Sequence, residues 1–254
     1  MNISRKTCFF FSAFGGTERV ARLLGERLGF DKFFFNFTSD SVFLDFREDD
    51  LVLFCVPVYG GRIPSPIYER MEDITGRSTP ALVVMVYGNR GVDDAGIEMA
   101  DLVTSKGFVV TGYAEFIAPH SLAPQYGAGR PDVLDIAVMD RFAAAFAEKL
   151  ALAETPSPVD VPGRRPYQKY TGTPIRPVVI RRCIQCGECV NFCPAGAVDP
   201  DEPRHIDGKK CISCMGCIER CLQGARSIPV PIRAGISLAL KKACGERKAP
   251  RTIL

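Results

Sequence analysis

Cys183-Ile184-Gln185-Cys186-Gly187-Glu188-Cys189-Val190-Asn191-Phe192-Cys193-Pro194 and Cys211-Ile212-Ser213-Cys214-Met215-Gly216-Cys217-Ile218-Glu219-Arg220-Cys221-Leu222 share one spacing, C-x2-C-x2-C-x3-C. Each cysteine of the second run stands 28 positions after its counterpart, and Ile184/Ile212, Gly196/Gly224 and Ala197/Ala225 repeat at the same offset. The pattern reads as an internal duplication that supplies ligands for two four-iron clusters. Two-residue gaps wrap three thiolates around one cube, and the fourth ligand comes from the other run. Cluster I then takes Cys183, Cys186, Cys189 and Cys221, and cluster II takes Cys211, Cys214, Cys217 and Cys193. Disulfides fit poorly, because the runs are crowded for pairing and a chain of 254 residues does not need staples. Zinc pairs usually read C-x2-C, a long gap, then C-x2-C, without the third cysteine seen here. The C-x3-C-x2-C spacing of radical enzymes that bind S-adenosylmethionine does not occur. Pro194 follows the first run and Leu222 the second, which changes the backbone beside one cluster but not its ligands.

A cluster module is small, so the preceding 160 or so residues must form another domain. Lys6–Phe11 reads as a buried strand and Thr17–Leu28 as a helix, with Val20, Leu23, Leu24 and Leu28 at helical spacing. Further strands are expected at Lys32–Phe37, Leu51–Val56, Ala81–Val86 and Phe108–Phe116, and helices at Ser65–Ile74, Asp94–Lys106 and Pro131–Leu150. This alternation implies a doubly wound parallel α/β sheet of five strands, covered on both faces. Arg5 and Lys6 before apolar Thr7–Phe14 imitate the start of a secretory signal, but the stretch is short and runs into a glycine turn and a charged helix. A first strand is the better reading.

Ligands of such sheets bind beyond the carboxyl ends of the strands. After the first strand comes Ser12-Ala13-Phe14-Gly15-Gly16-Thr17-Glu18, a turn into a helix suited to holding a phosphate. It has no lysine, so it is not an ATP-type phosphate loop, and it lacks G-x-G-x-x-G. After the third comes Pro57-Val58-Tyr59-Gly60-Gly61-Arg62-Ile63-Pro64, and after the fourth Tyr87-Gly88-Asn89-Arg90-Gly91-Val92-Asp93-Asp94. One phosphate loop and two loops carrying glycine and an aromatic residue suit a flat, singly phosphorylated ligand.

Together these loops resemble the flavodoxin family, and from Lys6 to Ile228 the chain resembles flavodoxin–ferredoxin fusion proteins. The marks include PVYGGRIP (57–64), YGNRGVDDA (87–95), Pro119-His120-Ser121, Ala128-Gly129-Arg130-Pro131-Asp132 and Gly163-Arg164-Arg165-Pro166-Tyr167. The resemblance implies an FMN site in which Ser12, Gly15, Gly16 and Thr17 hold the phosphate. It places Pro57, Tyr59, Gly60, Gly61, Tyr87, Gly88, Asn89 and Asp93 beside the flavin ring. Related first loops read S-G-T-G-N-T where this chain has Ala13, Phe14 and Gly16, and related third loops often carry tyrosine where this chain has Val92, so a flavin-free site stays open beside an FMN site. His120 is the candidate proton donor, or else an ordinary loop histidine.

The domains expected are 1–152 flavodoxin-like, 153–177 a linker with six prolines, 178–231 a small α+β ferredoxin-like module, and 232–254 a C-terminal helix and basic tail. Ile232–Leu240 is expected to pack on the cluster module. Cys8 and Cys55 read as small core residues, and Cys244 has no matching ligand. Residues 1–160 hold 15 Lys/Arg against 22 Asp/Glu, whereas residues 161–254 hold 17 against 7. A basic cluster module suits an acidic ferredoxin or flavodoxin as redox partner. No nucleic-acid reader motif occurs, and no apolar run approaches the ~20 residues of a membrane span. Reduced thiols and oxygen-sensitive clusters fit the cytoplasm.

Three functions follow. The first is electron transfer through two [4Fe-4S] clusters and FMN. The second is a flavin-dependent reductase fed by the clusters, and the third a ferredoxin whose flavin-free flavodoxin-like domain serves docking.

Overall fold

Apolar residues in the N-terminal strands alternate between two faces, and both faces are buried. The computed structural model describes residues 1–30, 34–38, 43–170 and 172–254. The first domain runs β1 (Arg5–Phe10), α1 (Gly16–Arg27), β2 (Phe34–Asn36), β3 (Leu44–Phe46), β4 (Asp50–Pro57), α2 (Pro66–Arg70), β5 (Ile74–Gly76), β6 (Thr79–Tyr87), α3 (Ala95–Ser105), β7 (Phe108–Ile117) and α4 (Val133–Leu152). The remainder contributes β8 (Val178–Val179), α5 (Glu188–Asn191), α6 (Gly216–Glu219), β9 (Arg226–Ser227), α7 (Val230–Cys244) and β10 (Arg251–Ile253).

The main sheet has the order β10-β7-β6-β4-β1-β2, and every pair except β10–β7 is parallel. Omitting β10 and the short β3/β5 pair leaves the 2-1-3-4-5 order of the flavodoxin-like fold. Phe9, Phe54, Val83 and Met85 face one core with Met99 and Val103 of α3. Cys8, Phe10, Leu53, Cys55 and Val84 face the other, with Val20 and Leu24 of α1 and Phe142 and Phe146 of α4. A two-residue side-chain period produces this split. Residues 32 and 33 of the expected strand Lys32–Phe37 lie outside the described residues.

Three expectations need correction. The sheet has six strands, because the C-terminal tail returns antiparallel to β7 and covers an edge that would otherwise be open. The expected helix Ser65–Ile74 is only α2, and Ile74 instead starts β5, which pairs with β3. Helix α7 lies against the first domain: Tyr126 Oη donates to the Ser237 carbonyl at 2.7 Å, and Asn89 Nδ2 donates to the Cys244 carbonyl at 2.7 Å.

The proline-rich segment is strapped to the first domain. Val159 N donates to Val110 O at 2.9 Å, and the buried Asp94 carboxylate accepts from Arg164 N at 3.0 Å and Gln168 N at 2.7 Å. Asp101 accepts from Arg165 and from Tyr167 Oη. Proline limits the freedom this segment would lose on docking.

Candidate functional site

The cysteine runs fold as two superimposable turns. Helices α5 and α6 occupy positions 28 apart, Gln185 and Ser213 both have φ of 55°, and Gly196 and Gly224 both have φ of 54°. The left-handed residue before each helix differs: Gly187 (φ 80°) in the first copy and buried Met215 (φ 63°) in the second, where a side chain makes that conformation costlier.

Cys183, Cys186, Cys189 and Cys221 line one cavity, with Pro203, Ala225 and Arg226 among its walls. Cys211, Cys214, Cys217 and Cys193 line a second, with Val198, Ile206 and Ile212. The structure thus brings together each crossed set of four thiols. Among the described residues no three His, Cys, Asp or Glu close on a point as a single ion requires. Thiols ringing a cavity suit a cluster, which puts its own volume between them. Ala197 N donates to Cys193 Sγ and Ala225 N to Cys221 Sγ, each at 3.2 Å, so the duplication extends to the hydrogen bonds on sulfur. Burial pushes the Cys214 and Cys217 thiols up to about 12.

The second site is a cavity of about 330 Å³ at the carboxyl ends of β1, β4 and β6. This is where a flavodoxin-like sheet changes direction and accepts its ligand. Ser12, Gly16, Thr17, Pro57, Tyr59, Gly60, Gly61, Tyr87, Gly88 and His120 line it, together with Arg90. No carboxylate does, so the cavity suits an anionic ligand with an apolar body. Ser12 Oγ accepts from Glu18 N at 3.0 Å, and Ser12 N donates to Thr38 Oγ1 at 2.7 Å, which fixes the turn into α1. Gly16 has no room for a side chain, since a Cβ there would stand 2.8 Å from the Ala118 Cβ. Buried Glu98 holds the 57–64 loop, accepting from Arg62 Nε at 2.6 Å, Arg62 Nη2 at 2.7 Å and Ile63 N at 3.0 Å.

Gly15, Asn89 and Asp93 are not among the lining residues. The Asn89 amide is turned to the Cys244 and Glu246 carbonyls, and Asp93 pairs with Arg90 and accepts from Gln168. Val92 is buried in the core. Sequence reasoning missed the roof of the cavity, made by Thr173 and Ile175 of the strap, Ile212 of the cluster module, and Ile236, Ala239 and Leu240 of α7.

His120 packs on Gly88, whose added Cβ would meet the imidazole at 2.6 Å. Its Nδ1 accepts from Leu122 N at 3.2 Å, which leaves the proton on Nε2. Burial, assisted by Arg90, lowers its pKa from 6.5 to about 4. At neutral pH it therefore carries no charge and keeps its N–H on Nε2. The unfolded chain takes up a proton below pH ~6.5 while the folded protein does not, so this contribution is complete above pH ~6.5 and is lost as pH falls toward 4. His120→Gln is expected to remove up to about 2 kcal/mol of the stability lost between pH 7 and 5, measured by urea unfolding of both proteins at the two pH values.

Residues 178–222 match the family model of the 4Fe-4S dicluster domain. No curated protein matches the chain. Among solved structures, a flavodoxin from the domain Archaea is 15% identical over 58% of this chain and 99% of its own, with a TM-score of 0.42. A Fusobacterium nucleatum flavodoxin bound to flavin mononucleotide is 14% identical over 57% and 98%, with a TM-score of 0.40. For a Thermotoga maritima flavo di-iron protein variant the values are 15%, 59%, 37% and 0.39, so the chain spans about a third of that protein. No helix among the described residues is long and apolar enough to cross a membrane. The chain joins a 4Fe-4S dicluster segment to a domain with flavodoxin strand order.

Proposed function

We propose that the protein is an electron-transfer protein that links a redox partner at its surface to FMN in the covered cavity. The observation that carries this reading is a shared wall: Ile212 lines both the cavity ringed by the cluster II cysteines and the cavity beyond β1, β4 and β6. Gly216 in α6 packs so closely that an added Cβ would stand 2.9 Å from the Ala13 carbonyl of the first loop. Cys214 belongs to the same buried cluster as Ala13 and Phe11, with Tyr59 packed against it.

The clusters supply one-electron exchange, and a flavin converts between one- and two-electron chemistry. The chain supplies placement. Ser12, Gly16 and Thr17 fit an FMN phosphate, and Tyr59 and Tyr87 offer aromatic faces to the ring. Residues of the strap, the cluster module and α7 complete the lining of the cavity.

The cluster I cage is the more exposed of the two. Cys186 is the one exposed cysteine among the eight, with Ile184 and Leu222 exposed beside it. Exposed Arg182 and Arg204 are fixed there by bonds to the Gly224 and Cys183 carbonyls, at 3.3 and 3.1 Å. An apolar patch rimmed by arginines suits an acidic protein carrier, with charge steering the encounter. The reading is tested by anaerobic purification with iron, sulfide and flavin analysis. About eight irons and one flavin per chain are expected. Full iron without flavin would favour the docking-domain alternative, and absence of iron would overturn the proposal.

A further inference from the structure

The duplication that makes the two cages alike breaks at one buried position. Ala197 and Ala225 are equivalent and donate equivalent bonds to cysteine sulfur, but the next residue is Val198 in one copy and Arg226 in the other. Val198 is 4% exposed and lines the cluster II cavity. Arg226 is 3% exposed and lines the cluster I cavity. Its Nη2 donates to the Pro203 carbonyl, while its Nη1 is buried with no hydrogen-bond partner. No salt bridge satisfies the guanidinium among the described ion pairs, although a buried, uncompensated arginine is among the costliest groups a fold can hold.

An anionic cluster within the ring of Cys183, Cys186, Cys189 and Cys221 resolves this. It supplies both the missing counter-charge and acceptor sulfurs. We propose that Arg226 Nη1 donates to a sulfur of cluster I and thereby sets that cluster's potential above that of cluster II. This rests on the reading of the eight cysteines as two cluster sites.

Hydrogen bonds to sulfur and local net charge are main determinants of cluster potential. A buried cation favours the reduced state, which carries one more negative charge, and it acts at short range in a low dielectric. Arg182 and Arg204 lie near the same cage but are exposed, so water and salt weaken their effect. The Arg226 charge also reaches Cys217 of the other cage, but Arg226 is in the wall of the cluster I cavity alone, and the cluster II cavity has apolar Val198 at the matching place, so the two clusters should differ although their ligands and amide bonds correspond.

The test uses the full chain, purified anaerobically, with iron and sulfide measured before any potential. Wild-type protein without iron would overturn the cluster reading itself, which separates that failure from failure of the arginine assignment. In redox titrations followed by electron paramagnetic resonance, Arg226→Met is expected to lower one wave, the higher one, by at least tenfold in its reduction equilibrium. That is ~59 mV for one electron. Arg226→Lys, which keeps the charge but loses the fork, is expected to shift it less. Full iron with both waves unmoved, or moved equally, would overturn the assignment. If Arg226→Met takes up no iron, wild-type protein labelled with 15N-arginine decides: a hyperfine coupling from arginine nitrogen to one reduced cluster is expected, and its absence would overturn the proposal.

Discussion

Removing iron is expected to unfold residues 178–228 while leaving the parallel sheet intact. The segment has two helices of four residues each, one pair of two-residue strands and few fully buried apolar side chains, among them Ala197, Val198, Met215, Ala225 and Ile228. A core this small cannot offset the conformational entropy of some fifty residues, at ~1–2 kcal/mol each for the backbone alone. Binding free energy in such a module is folding free energy. The sheet needs little from that segment: Cys214 and Ile212 touch one of its cores, but both cores are filled mainly by its own strands and helices. Helix α7 and β10 should also stay, because Asn89, Tyr126 and β7 hold them to the first domain. Hydrogen exchange with and without anaerobic chelation checks this. Amides of 178–228 should fall to free-chain rates while those of β4 and β6 keep their protection. Unchanged protection in the iron-free segment would show that it folds without clusters.

What the sequence reveals, and what it hides, follows from how local each determinant is. The cysteine sets are legible because a cage is built from short spacings, and a 28-residue offset repeats them. The central strands are legible because β4 and β6, buried on both faces, read as unbroken apolar runs. The sixth strand is not, because Arg251-Thr252-Ile253 has no strand pattern of its own and is recruited by the open edge of β7. The direction of α7 is hidden for a related reason. Ile236, Ala239 and Leu240 mark an apolar face, but only the tertiary fold shows that it covers the first domain's cavity. Asn89 and Asp93 sit in a loop of flavin-binding character, yet contacts distant in sequence, Cys244 for one and Gln168 for the other, take their side chains elsewhere. Arg226 falls just beyond a recognisable motif, and its meaning emerges only from its burial beside one cage and from its counterpart Val198.

Asp135→Leu is expected to destabilise the first domain by about 3–5 kcal/mol, the cost of leaving a buried charge without its partner. Asp135 is fully buried and pairs through both oxygens with Arg130, which is itself 4% exposed. The same carboxylate accepts from Asp132 N at 2.9 Å and so completes the capping box at the start of α4. Arg130 also donates to the Lys248 carbonyl at 3.0 Å, and Arg247 pairs with Asp132, so this pair ties the C-terminal tail to α4. Exchange protection of β6 and β7 amides should fall by about 10²–10³-fold or more, at ~1.4 kcal/mol per tenfold. The double variant Arg130→Met/Asp135→Leu separates charge from packing. Replacing both ions with apolar side chains should restore most of the lost stability, less about 1 kcal/mol for the broken cap. Lys248 O loses its Arg130 donor in the double variant, so amides of β10 should be less protected there than in wild type even after the sheet has recovered. A single variant as stable as wild type, or a double variant no better than the single, would show that the buried pair does not hold this end of the domain together.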